Sequence, residues 1–104
     1  MKLLNAFSAN MLAGFPATIS FEEVSVEAAV ALLGTGFTSG VGHENTAAVF
    51  SSILGITVSM DRATFSLTRG DEAVVGQYSG PRLPEGATTL PEGATIKWLH
   101  LRVA

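Results

Sequence analysis

Gly40-Val41-Gly42-His43-Glu44-Asn45-Thr46 sets an imidazole where a glycine-rich loop feeds the start of a helix. The first turn of a helix leaves backbone N–H groups without intrahelical acceptors and carries the positive end of the helix dipole, so the place favours an anion. His43 adds a side chain able to give a proton near neutral pH. An anion site with a proton donor is the chemistry this pattern could do. Spacing alone favours the plainer reading, a histidine that starts or caps the helix.

Other chemistries find less support. Ala47 stands where an H-E-x-x-H motif needs its second histidine, and the chain has no cysteine, so no metal site is expected. Gly36-Phe37-Thr38-Ser39-Gly40 has the outline of a nucleophile elbow, but it follows a predicted helix rather than a strand and has threonine at its centre. It fits neither G-x-G-x-x-G nor the P-loop. Asn5, Ser8 and Asn10 punctuate an apolar segment, either facing a ligand or satisfying backbone groups at a turn. In Arg82-Leu83-Pro84-Glu85 a carboxylate could orient a guanidinium for phosphate, although the two also read as a surface pair. Arg62 and Arg69 read as solvated charges, and His100 as structural.

These residues need elements to hold them. Residues 2–7 read as a short buried strand, and 18–24 alternate as a second, with Ile19, Phe21 and Glu23 opposite Ser20, Glu22 and Val24. Ser25 is placed to cap a helix running to Leu33, with Glu27 in its first turn and Gly34 and Gly36 as its stop. A second helix is expected from His43 to Leu54, closed by Gly55, with Ala47, Phe50 and Leu54 on its apolar face. Residues 57–67 and 72–78 read as a hairpin turning at Arg69-Gly70-Asp71, and 95–103 as the last strand. LPEGAT occurs twice, at 83–88 and 90–95, and reads as a connection because proline and glycine oppose a continuous helix. The expectation is an α/β fold with a mixed central β-sheet and flanking helices.

Composition sets the outer limits. A chain of 104 residues holds one core, so residues 1–104 form one domain. With 47% hydrophobic and 14% charged residues, disorder is excluded. A mean hydropathy of +0.39 predicts apolar surface buried against another subunit, hence a dimer. A net charge of −3 disfavours duplex nucleic acid, yet six basic residues suffice for a local anion pocket. The lack of cysteine fits a cytoplasmic setting. Asn5, Ser8 and Asn10 interrupt what could otherwise pass for a signal peptide, and no apolar run is long enough to cross a bilayer.

Taken together, Asn5-Ala6-Phe7-Ser8 with Asn10-Met11-Leu12, Gly42-His43-Glu44-Asn45-Thr46, and Arg82-Leu83 with Glu85-Gly86 resemble the viral anti-CRISPR ring nucleases that defeat type III systems. Related cellular ring nucleases share that fold. The resemblance runs in order over nearly the whole chain. It implies a homodimer that binds cyclic tetra-adenylate in a two-fold symmetric cleft between subunits. It further implies metal-independent cleavage without a cofactor, in which the ribose 2′-hydroxyl attacks the adjacent phosphorus and leaves linear products with 2′,3′-cyclic phosphate ends. Matched residue by residue, His43 would protonate the departing 5′-oxygen. Asn5, Ser8 and Asn10, with Gly42, would contact the ligand, Arg82 would hold a phosphate, and Glu85 would orient that arginine or a closing loop. Gln77 and Arg62 carry over more weakly. The sequence departs from the family at the LPEGAT repeat, which stands where a longer helix is expected. The alternatives are a binder that holds the ring uncut, or a small structural dimer.

Overall fold

The computed structural model describes residues 1–62 and 65–104. Its centre is a five-stranded mixed sheet of β1 (Lys2–Leu4), β2 (Ile19–Val24), β3 (Thr38–Gly40), β4 (Glu72–Ser79) and β5 (Thr95–Val103), in the order β2-β5-β4-β1-β3. β1 pairs in parallel with both β3 and β4, while β5 runs antiparallel to β4 and β2. Two helices, α1 (Val26–Leu33) and α2 (Glu44–Leu54), follow β2 and β3.

The alternation of the strands decides what each face meets. Leu3, Val74 and Trp98 join Ala29 and Leu33 of α1 and Ala47, Phe50 and Leu54 of α2 in one core. Leu4, Ala73, Val75, Leu101 and Val103 point to the other face, where Phe7, Met11, Leu12, Phe65 and Leu67 pack over them. Phe50 and Trp98 meet edge to face at 4.9 Å, directly over Gly76. A methyl group on Gly76 would lie 2.7 Å from the Trp98 ring and against Phe50, so only glycine admits this pair so close to the strand.

The expected helices form as their caps dictate. The Ser25 hydroxyl accepts the Ala28 N–H at 3.1 Å, and Gly55 ends α2 in the left-handed region at φ 70° with its N–H on the Ser51 carbonyl. β2 and β5 take nearly their expected bounds.

Three expectations need correction. The first strand stops at Leu4 instead of reaching Phe7, because Asn5 turns toward the loop after β3 and Phe7 crosses the face opposite the helices. β3 lies inside what reads as a glycine-rich loop; its three residues are ordered by pairing with β1 rather than by any pattern of their own. Residues 57–67, of which 63 and 64 lie outside the described residues, form no hairpin with β4, whose antiparallel partner is β5. Two serine hydroxyls and one backbone bond hold residues 58–61 instead. Ser51 Oγ accepts the Val58 N–H at 2.9 Å, Ser39 Oγ donates to the Ser59 carbonyl at 2.6 Å, and the Asp61 N–H reaches the Val41 carbonyl at 2.8 Å. Leu67 then bridges to Leu12.

The LPEGAT repeat is the connection expected. Each copy builds the same turn: Ala87 N–H to the Pro84 carbonyl at 3.0 Å and Ala94 N–H to the Pro91 carbonyl at 3.1 Å, with Gly86 and Gly93 both at φ 81°.

Candidate functional site

Parallel pairing of β1, β3 and β4 brings their carboxyl ends to one edge of the sheet, the usual place for ligands in such folds. Asn5 follows β1, Gly42 and His43 follow β3, and Gln77 and Tyr78 lie near the end of β4. α2 begins at the same edge, so its N-terminal N–H groups point there as well.

His43 is the N-cap residue of α2 in extended conformation, and its carbonyl accepts the Ala47 N–H at 3.0 Å as the first helical bond. Its side chain makes no capping bond and is exposed. The plainer reading of this histidine, as the residue that starts the helix, holds, without a side-chain cap. Gly42, the residue before it, is held on both sides: its N–H donates to Asn5 Oδ1 at 3.4 Å, and Arg62 Nε donates to its carbonyl at 2.9 Å. Asn5 and Arg62 thus steady the backbone that delivers His43, and Arg62 is more than a solvated charge.

His43, Asn45, Thr46, Tyr78, Arg82, Leu83, Pro84 and Glu85 line one cleft of about 710 Å³. No ion pair joins Arg82 to Glu85 among the described residues. Asn45 bonds the Pro84 carbonyl and the Gly86 N–H, and the Tyr78 hydroxyl donates to the Pro81 carbonyl. Tyr78 also borders a second hollow, of about 640 Å³, shared with Asn5, Ala6, Phe7, Phe21, Val75, Gln77 and Leu99. Gln77 stands there.

Ser8 and Asn10 line neither hollow. Ser8 Oγ accepts the Asn10 N–H at 3.3 Å and caps a single 3-10 turn, the second of the two roles open to it from sequence. Asn45, Thr46 and Tyr78 were not singled out from the sequence, although the first two sit in the motif around His43; nothing local marks Tyr78.

The remaining candidates have structural partners. His100 is buried, with Nε2 2.7 Å from Glu72 Oε1 and Arg102 Nη2 3.3 Å from Nδ1, so it works as a cross-strand link. Thr38 lies within β3 and the Ser39 hydroxyl is engaged with Ser59, which rules out the nucleophile elbow. Asp71 titrates below the usual carboxylate range, chiefly because the Thr68 N–H donates to it at 2.8 Å; burial opposes this, and Lys2 and the Thr68 hydroxyl each lower it by less. Among the described residues no three His, Asp or Glu side chains gather as a metal site requires, and no helix is long and apolar enough to cross a membrane.

The family model described as STIV B116-like matches residues 1–97. Among solved structures, B116 of Sulfolobus turreted icosahedral virus is similar at a TM-score of 0.81 and 27% identity, covering 97% of each chain. No curated protein sequence matches the chain.

Proposed function

The chain belongs to the STIV B116-like family, and from that premise we propose that it is a ring nuclease that cuts cyclic tetra-adenylate without a metal, switching off type III CRISPR effectors as a viral protein would. The observation that carries this reading is His43, exposed and free of any capping bond at the N-terminus of α2, in one cleft with Arg82, which has no ion pair among the described residues. The resemblance of its motifs to ring nucleases supplies the substrate class.

The chemistry asks little else of the protein. Attack of a ribose 2′-oxygen on the adjacent phosphorus forms the 2′,3′-cyclic phosphate and breaks the bond to the 5′-oxygen. The 2′-hydroxyl gives its proton to solvent, and the leaving oxygen takes one from His43. General acid help of this kind contributes about a hundred- to ten-thousand-fold. Arg82 binds the phosphate, and the first-turn N–H groups of α2 add favourable potential. Holding the ribose in line supplies much of the remaining acceleration.

A two-fold ring fits a homodimer. Phe21, 48% exposed, meets Phe7 edge to face on the sheet side away from the helices, beside the hollow that holds Asn5 and Gln77. A second copy against this side would bring two such hollows around one ligand, inside a host cytoplasm where the ring is made.

The test is incubation of the purified protein with cyclic tetra-adenylate in excess EDTA, beside a His43→Ala variant, with chromatography of the products. Linear adenylates ending in cyclic phosphate, greatly slowed in the variant, support the reading. Intact ring recovered after tight binding makes the protein a non-catalytic binder, and no binding at all leaves a structural dimer.

A further inference from the structure

We propose that Asn45 is a positioning residue: its carboxamide latches the first Pro-Glu-Gly turn onto the start of α2 and so sets Arg82 and Glu85 beside His43. The role rests on the cleavage reading above, while the latch itself does not. Asn45 Nδ2 donates to the Pro84 carbonyl at 3.2 Å, and its Oδ1 accepts the Gly86 N–H at 3.1 Å. One side chain therefore satisfies an acceptor and a donor of the same turn. A carboxamide offers both groups in one plane. Aspartate would keep the acceptor but set a carboxylate oxygen against the Pro84 carbonyl, and glutamine would carry the same groups one methylene further out.

The turn needs no help to exist. Its own bond from Ala87 to Pro84 and the left-handed Gly86 build it, so the latch fixes where the turn sits rather than its shape. The second LPEGAT copy is a control within the molecule. It makes the same turn with no side-chain bond among the described residues, and it is anchored differently: Ala94 is buried against Gly80, whose Cβ would come 2.8 Å from the Ala94 Cα. A Pro-Glu-Gly turn thus has no general need of an asparagine. The copy that is latched is the one whose neighbours line the cleft with His43.

Residues 80–94 leave the sheet at the Ser79–Thr95 pair and return there. The Tyr78 hydroxyl on Pro81 ties their beginning and Gly80 against Ala94 closes their base, which leaves Asn45 as the tie between the first turn and α2. Arg82 and Glu85 have no ion pair among the described residues to hold them in its absence. Freed from Asn45, this segment would have to be ordered by the ligand, which weakens binding more than it slows a proton transfer from His43.

The experiment compares wild type with Asn45→Ala, Asn45→Asp and Asn45→Gln, by amide hydrogen exchange and by steady-state cleavage of cyclic tetra-adenylate. The latch predicts that the Gly86 amide exchanges roughly threefold faster or more in Asn45→Ala while the Gly93 amide is unchanged. The positioning role predicts a KM raised roughly tenfold to a hundredfold in the Ala and Asp variants, with kcat within about threefold and part of the loss restored by Gln. Unchanged Gly86 exchange overturns the latch, whatever the enzyme does. Faster exchange with unchanged KM, or an equal loss of kcat with a lowered Tm, overturns the positioning role. If the wild type binds the ring uncut, Kd replaces KM with the same expectation; if it neither cuts nor binds, the functional reading and the positioning role fall together, and exchange at Gly86 alone decides the latch.

Discussion

Replacing Gly76 with alanine tests how rigidly the sheet holds the helix that carries His43. The added methyl would lie 2.7 Å from the Trp98 ring and against the Phe50 ring, about 1 Å inside ordinary carbon–carbon contact. Gly76 is not among the residues with positive φ, so alanine fits the backbone and brings a gain of about 0.5–1 kcal/mol from the unfolded state. Overpacking a full core costs about 1–3 kcal/mol, and here two buried aromatic rings in edge-to-face contact must both give way. The net is a loss of about 1–2 kcal/mol, or a Tm lower by roughly 5–15 °C for a domain of this size. Since Phe50 belongs to α2, the same push displaces His43 from the cleft, and cleavage should fall with stability. Thermal unfolding by circular dichroism reads the first effect. The cost should shrink in a Phe50→Leu background, where the ring is gone. A Tm within about 2 °C of wild type, or an undiminished cost beside the smaller leucine side chain of that background, would refute the argument from close packing.

Removing either support of Gly42, by Asn5→Ala or Arg62→Ala, should lower the proposed cleavage roughly tenfold to a hundredfold through misplacement of His43, with Tm little changed because the Arg62 bond is exposed and the part-buried Asn5 bond is long at 3.4 Å; single-turnover rates and melting curves check this. Asp71 titrates lower in the fold than in the open chain, so its contribution to stability is present above the unfolded carboxylate range and is lost as pH falls through the folded value. Denaturant titrations between neutral and acid pH should show that loss, and Asp71→Asn should flatten that part of the profile. Light scattering should give the mass of a dimer for the wild type, and Phe21→Glu should shift it toward monomer, since Phe21 stands on the face proposed to meet a second copy.

Much of the fold was legible because it is local. Ser25 and Gly55 announce helix ends by hydroxyl capping and left-handed backbone, and the alternation of β2 and β5 follows the pleat. β3 left no mark, since three residues paired to β1 on a sheet edge need no apolar period. Residues 58–61 mislead for the converse reason: they are held by the Ser39 and Ser51 hydroxyls and the Val41 carbonyl and not by a ladder. In the site, the motif around His43 was legible as a helix start. Its supports were not, because Arg62 reaches Gly42, and Asn45 reaches Pro84, across folds of the chain that no local spacing records. Ser8 shows the limit from the other side: a polar residue in a site-like motif whose hydroxyl serves its own turn.

The central claim is that His43 protonates the departing 5′-oxygen, and a ring carrying sulfur at the bridging 5′ positions tests it most directly. A thiolate leaves without needing a proton, so the general acid becomes dispensable. The account predicts that His43→Ala, slowed about a hundredfold or more on the natural ring in EDTA, cleaves the sulfur-bridged ring nearly as fast as wild type. An equal defect of the variant on both rings would contradict it and remove His43 from the acid role.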